Sequence, residues 1–329
     1  MISRAINKLN RLWTDISFAF GILRPEGQGK RIIMYHGIDK KGCKAFNLRY
    51  VSIADFERQI AFYKKNFNIL TIHDYFQKKI IKNKINIAIT FDDGMYNNFK
   101  YALPILEKYK VPATFLVTGL NEVGYRFIWS DFIDIAEKLV TKDIIIDNIN
   151  YVKKGKNWYD LYSNKSLKDI IKDKGTFEFK QKVIREIEKI IPKFWEDEKY
   201  FDYWKLMSDE NIYIASKSKY ITIGSHGYYH NNLGNIVLED VKDELEKSKR
   251  YIENITQKTC DVLGYPDGSY TREVIDVAES LGFKYQLAAA KYHYKEDYND
   301  DRIEDRYGIY PAVFTANIIK DFLKHINYE

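Results

Sequence analysis

The chain has 329 residues, of which 45% are hydrophobic, 16% aromatic and 30% charged, and its formal net charge is +6. That composition excludes a disordered polymer and supplies the apolar surface for one large α/β domain or two small ones. The charge is modest and interspersed, which excludes nucleic acid as a partner, and two cysteines, Cys43 and Cys260, form neither a metal-binding CxxC nor a disulfide framework.

Residues 1–23 read as an amphipathic helix. Ile2, Ile6, Leu9, Trp13, Ile16, Phe20 and Leu23 recur at steps of three or four, while Arg4, Lys8 and Arg11 lie off that stripe. Gly21, Pro25, Gly27 and Gly29 mark the loop that follows, so residues 1–30 are expected to be a helix and linker ahead of a larger unit over 31–329. Such a basic helix either lies on an anionic membrane or packs on its own domain or a partner. No apolar run reaches the roughly 18–20 residues of a spanning helix, and the N-terminus lacks an apolar core with a small-residue cleavage site. The expectation is a cytoplasmic protein with peripheral contact, through residues 1–23, to the inner face of the membrane.

From Arg31 onward strands alternate with helices. Strands are expected at 32–36, 69–72, 85–91, 112–117, 220–225, 260–265, 284–290 and 307–311, and helices at 53–65, 97–109, 237–254 and 271–281. This alternation predicts parallel βα units, and with about seven or eight strands a barrel is favoured over an open sheet. Residues 141–205, rich in Lys, Asp and aromatics, interrupt the pattern; they read as a helical insertion beside the cleft, with a helix at 176–191.

Three strings fall where barrel strands should end: Thr90-Phe91-Asp92-Asp93-Gly94, Ser225-His226-Gly227-Tyr228-Tyr229-His230 and Gly264-Tyr265-Pro266-Asp267-Gly268. Barrel sites gather at those ends. Neighbouring side chains on a regular strand point to opposite faces, but Gly94 lets the chain turn so that both carboxylates can reach one cavity. Asp-Asp-Gly is also ordinary turn chemistry. His226 and His230 share one face if the segment after Gly224 turns helical, with Ser225 either orienting a ligand or capping that turn. One carboxylate and two imidazoles suit zinc or a similar divalent ion, and the remaining carboxylate can act as a base.

These strings resemble the polysaccharide deacetylases of carbohydrate esterase family 4, related to the nodulation oligosaccharide deacetylases. The family's T-F-D-D-G is residues 90–94 unchanged, and its H-[ST]-x-x-H is similar to His226–His230, with Gly227 in the place of the hydroxyl residue. Residues 112–116, Trp129-Ser130-Asp131 and Leu206-Met207-Ser208 are similar as well, so the resemblance runs from about residue 31 to residue 315. It implies a distorted (β/α)7 barrel in which Asp92 is the general base and Asp93, His226 and His230 hold a divalent metal, zinc. The family's R-x-P-[YF] reads Gly264-Tyr265-Pro266-Asp267 here, so the arginine that orients the base is missing from it. Tyr265, Pro266 and Asp267 take the substrate and oxyanion position, and Arg306 resembles an arginine that some members carry near the C-terminus. The histidine general acid of the last strand has no match. Met34-Tyr35-His36-Gly37-Ile38 instead resembles the Tyr-His motif of members that act on poly-N-acetylglucosamine, which makes His36 the acid. His73, His293 and His325 have no motif and are expected to be solvated or structural. The implied activity is removal of N-acetyl groups from amino sugars of a bacterial surface polysaccharide or its lipid-linked precursor, with an N-acetylated oligo- or polysaccharide as substrate. The rivals are an O-deacetylase or deformylase on the same scaffold and a carbohydrate-binding protein with a relict site.

Overall fold

The computed structural model describes residues 28–42, 47, 49–289 and 292–309, together with Ile6, Leu9, Asn10, Trp13, Thr14, Ile16, Ser17, Ile22, 322–324 and Ile326. Six strands, β1 (Gly29–Tyr35), β2 (Ile85–Phe91), β3 (Ala113–Val117), β4 (Ile221–Ser225), β5 (Val262–Gly264) and β6 (Tyr285–Leu287), pair side by side in that order. Every pairing is parallel. The chain then crosses the remaining gap: β7 (Ile303–Glu304) pairs with β6, and β8 (Arg306–Gly308) pairs with β1. One segment thus bonds both edges of the sheet and gives the distorted (β/α)7 barrel. Strands buried on both faces need unbroken apolar runs, and β1 and β2 are buried at every residue.

Ile32, Ala88, Leu116, Val262 and Leu287, one from each of five strands, pack together inside the barrel with Ile72 and Tyr75. This plug leaves the opposite, C-terminal end of the strands for a cavity. Outward-facing residues such as Ile33, Ile89 and Phe115 join the helices in the larger core.

Two expected elements differ. The strand at 69–72 is only Asn68–Ile69, after which Thr71 caps a short helix, Ile72–Phe76, by accepting the N–H of Asp74. The Thr-x-x-Asp cap outweighs the β-branched run. The helix at 97–109 opens as a π-turn, Asn98–Ala102, before the α-helix Leu103–Tyr109. Pro104 has no N–H for the regular i−4 bond, which accounts for the wider turn.

The insertion is not purely helical. Strands Ile144–Ile146, Ile149–Lys154 and Asn157–Asp160 form an antiparallel meander. Its first turn is Asp147-Asn148, both at positive φ (55° and 62°), a two-residue hairpin signal that the sequence carried. With α1 (Trp129–Leu139), α2 (Leu167–Lys174) and α3 (Phe177–Glu188) the meander encloses a second core around Phe132, Trp158, Ile171, Val183 and Ile187. Of the expected N-terminal helix, Ile6, Leu9, Asn10, Trp13, Thr14, Ile16 and Ser17 are helical; Ile2, Arg4, Lys8, Arg11, Phe20 and Leu23 lie outside the described residues, as do Cys43 and His325. Cys260 is buried and free.

Candidate active site

At the end of β2 the N–H of Asp92 still bonds Tyr35 O at 3.0 Å. The chain then makes two successive left-handed residues, Asp93 (φ 74°) and Gly94 (φ 65°). A Cβ on Gly94 would sit 3.1 Å from Val117 Cα, so the turn needs glycine for space as well as for φ. That double turn aims both carboxylates into one cavity, as expected from Asp-Asp-Gly, although the strained residue is Asp93 as much as Gly94.

The two histidines do not share a helical face. Residues 226–232 are a loop, and the expectation of a helical turn after Gly224 is overturned. Gly227 (φ 73°) and His230 (φ 55°) bend it so that the two imidazole centroids lie 5.0 Å apart. Ser225 does cap the turn, its Oγ accepting the N–H of Gly227 at 3.1 Å. His226 Nδ1 pairs with Gly264 O at 2.8 Å, leaving Nε2 to face Asp93.

Asp93 Oδ1 lies 3.4 Å from both His226 Nε2 and His230 Nε2. That separation is long for a hydrogen bond but close to the edge of a tetrahedron with ligand arms of about 2.0–2.1 Å. The donor set, one carboxylate oxygen and two imidazole nitrogens, all buried, fits a divalent ion.

Asp92 takes a different partner. Arg306, fully buried on β8, reaches past β1 to hold it with Nη1–Oδ1 at 2.6 Å and Nη2–Oδ2 at 3.0 Å, while its Nε donates to Ala288 O at 2.7 Å. Burial alone would raise the Asp92 carboxyl; the guanidinium outweighs it and holds the group below the usual carboxylate range. Burial opposes the charged form of His226 as well, but Asp92 and Asp93 hold that imidazole above its ordinary value.

His36 follows β1 and lines the same cavity of about 340 Å³ as Asp92, Asp93, His226 and His230. Burial, then the Arg49 guanidinium, pull it down to about 4, so the resting imidazole is neutral. Its Nδ1 has no hydrogen-bond partner among the described residues. In the third string Asp267 (φ 53°) faces the cavity, with Oδ2 accepting from Asn232 Nδ2 at 3.2 Å and Oδ1 3.5 Å from Lys172 Nζ. Tyr265 borders the cavity, but its ring is buried in the core, stacked on Tyr270 with its hydroxyl bound to Gln286. Pro266 lies outside the lining; it packs beneath the histidine loop, 3.2 Å from where a Cβ on Gly227 would be.

Several site residues carried no readable role. Arg49 lies 3.9 Å from Asp93 Oδ2 and 3.3 Å from Asp131 Oδ1, and Asn47 donates to that same Asp131 oxygen at 2.6 Å. Burial pushes Asp131 up to about 7. Asp131 sat in a family-like segment, but nothing marked Arg49 or Asn47. The insertion contributes Lys168 and Lys172 from one face of α2, which the helical spacing alone could have paired. His73 lies away from the site, its Nε2 2.9 Å from Asp261 Oδ1, and His293 stacks on Tyr270 with centroids 4.5 Å apart.

Residues 79–174 and 200–286 match the family model described as polysaccharide deacetylase. The poly-beta-1,6-N-acetyl-D-glucosamine N-deacetylase of Staphylococcus aureus (strain MRSA252) is 28% identical over 240 residues, which are 71% of this chain and 59% of that protein. The chain therefore spans well under two thirds of the length of the curated relatives it matches. Among solved structures, the Streptococcus pyogenes deacetylase PplD in complex with acetate superposes with a TM-score of 0.53 at 18% identity, over 89% of this chain and 97% of that one. IcaB from Ammonifex degensii superposes with a TM-score of 0.54 at 14% identity, over 92% of this chain and 100% of that one. These likenesses carry the fold. No helix among the described residues is long and apolar enough to cross a membrane. With the strand-end motifs, the barrel and more than half of its length matched, the chain belongs to the polysaccharide deacetylase family.

Proposed function

We propose that this protein is a metal-dependent N-deacetylase of amino sugars in a bacterial surface polysaccharide or its lipid-linked precursor. The observation that carries the reading is the division of labour between adjacent carboxylates: Asp93 faces two imidazoles while Asp92 is clamped by Arg306. Asp93, His226 and His230 would hold a divalent ion, most simply zinc, which would supply Lewis-acid polarisation of the acetyl carbonyl and lower the pKa of the attacking water. Asp92, kept ionised by Arg306, takes the proton of that water. The main-chain N–H of Asp267 would serve as the donor to the developing oxyanion. His36 delivers a proton to the departing nitrogen; being neutral at rest, it acquires that proton during the cycle, and Asp92, which lines the same cavity and has just been protonated, is a source for it. The clamped base argues against a relict site, because the arginine absent from the third string is replaced in function by Arg306.

The substrate class is supported by the name of the Staphylococcus relative, which acts on a poly-N-acetylglucosamine. Residues 1–23 would dock the enzyme on the inner, cytoplasmic face of the membrane: Ile6, Leu9 and Trp13 are 50%, 65% and 63% exposed. The direct test is to incubate zinc-loaded protein with β-1,6-linked N-acetylglucosamine oligomers and measure acetate and free amine together. Equimolar release, abolished by a chelator, is expected. Acetate from O-acetylated oligomers alone, or none from either, would overturn N-deacetylation.

A further inference from the structure

We propose that Lys180, in the segment 175–199 that the family match leaves out, is a positioning residue for the metal ligand His230. The inference rests on the metal site proposed above. The two histidine ligands are held in different ways. His226 is oriented through its ring, by the contact of Nδ1 with Gly264 O. The Nδ1 of His230 is buried and has no partner among the described residues, so nothing fixes that ring from behind. Its direction must come from its main chain, which sits in the left-handed region at φ 55°.

Two buried charges of opposite sign hold that main chain. Glu244, on α4 (Leu238–Thr256), accepts the N–H groups of Tyr229 at 3.0 Å and Asn231 at 3.2 Å, one on each side of His230. Lys180, on α3, donates to the carbonyl of His230 itself at 2.6 Å and to Asn232 Oδ1 at 3.3 Å. Both side chains are 1% exposed. The carboxylate takes the donors of the loop and the ammonium takes its acceptors, so a flip of the His230 peptide would strand a charge on one side. Three residues on, Val183 faces the insertion's own core, where packing alone seats α3. Packing does not call for a buried lysine one turn earlier, and a buried ammonium is retained only where its partners need it. The insertion is therefore part of the metal site and more than a wall of the cleft.

The test strips the full-length protein of metal and titrates it with Co²⁺, reading the dissociation constant by chelator competition and the ligand-field absorption of the bound ion. Lys180→Met is expected to weaken Co²⁺ binding about 10–100-fold, the range for partners that orient a ligand, and to change the absorption envelope. Lys180→Arg is expected to recover most of both. Val183→Ala, which loosens the same helix without touching His230, is expected to bind as wild type. Should Lys180→Met not fold, Lys180→Gln, which falls short of the carbonyl, makes the same comparison. Wild-type affinity and spectrum in the Met or Gln variant would overturn the inference, and so would equal weakening in Val183→Ala. A wild-type protein that takes up no cobalt would instead overturn the metal site on which the inference stands.

Discussion

Arg306 and Asp92, 214 positions apart in the chain, meet as a two-pronged ion pair inside the barrel, at 2.6 and 3.0 Å. The segment that closes the sheet therefore also delivers the cation that the β5 loop lacks. The pair is fully buried, and removing one partner of such a pair costs about 3–5 kcal/mol because the other is left uncompensated. Asp92 is a depressed carboxyl, so its contribution to stability is present above the ordinary carboxylate range and is lost as pH falls through its folded value. Arg306→Ala should reverse that sign by letting burial dominate. We expect lower thermal stability, turnover reduced on the order of 100-fold at neutral pH for want of a held base, and an acid limb of the pH–rate profile displaced upward. Profiles that superpose after scaling would show that Arg306 does not set the base.

Metal content separates the two carboxylates. Alanine at Asp93, His226 or His230 should empty the site in metal analysis of the purified protein. Asp92→Asn should retain the ion and lose about 10²–10⁴-fold in turnover, the usual contribution of a positioned base. Equal metal loss in Asp92→Asn and Asp93→Asn would rule out the division of roles.

Gly227 stands where the H-[ST]-x-x-H motif that this string resembles has a hydroxyl residue, and the backbone shows why this chain needs glycine there. It sits at φ 73°, and a Cβ would lie 2.7 Å from Glu244 Oε1 and 3.2 Å from Pro266 Cγ. Gly227→Ala should cost roughly 1–2 kcal/mol from the left-handed conformation, with more from displacing Glu244. Metal affinity and thermal stability should fall together. An alanine variant that keeps wild-type metal affinity would mean that the loop tolerates another path.

The N-terminal segment gives a separate expectation. Deleting residues 1–24 should abolish sedimentation with anionic vesicles and spare hydrolysis of soluble oligomers, with the effect fading at high salt as the basic flank is screened. Full-length protein that never sediments with such vesicles would refute the docking.

The sequence made the strand ends legible because parallel strands buried on both faces leave unbroken apolar runs, each here terminated by a polar, glycine-containing turn. Asp92, Asp93, His226 and His230 were readable for that reason, and Arg306 through its resemblance alone. The helical face expected for the histidines failed because i, i+4 spacing does not distinguish a helix from a loop with left-handed residues at Gly227 and His230. Arg49 and Lys180 stayed invisible: each is an ordinary basic residue outside every motif, and only the fold carries it to Asp93 or to the His230 carbonyl. In the insertion only the Asp147-Asn148 pair signals the meander, as a two-residue hairpin turn with both residues at positive φ.

His36 carries the sharpest expectation. An amine anion is too poor a leaving group to depart alone, so an amide needs a proton on nitrogen as the tetrahedral intermediate collapses, whereas an activated aryl acetate does not. Burial and Arg49 hold the resting imidazole at about 4, so the proton must arrive after binding, and the free enzyme should show no basic limb assignable to His36. His36→Ala should therefore keep metal and fold, lose about 10²–10⁴-fold on an N-acetylated oligosaccharide, and lose far less on an aryl acetate. The comparison is of kcat/KM for the two substrates in wild type and variant. Equal losses on both would remove His36 from the acid role. The acid would then have to be sought among the other groups lining the cavity, Asp92 first, since among the described residues His73 and His293 face other partners.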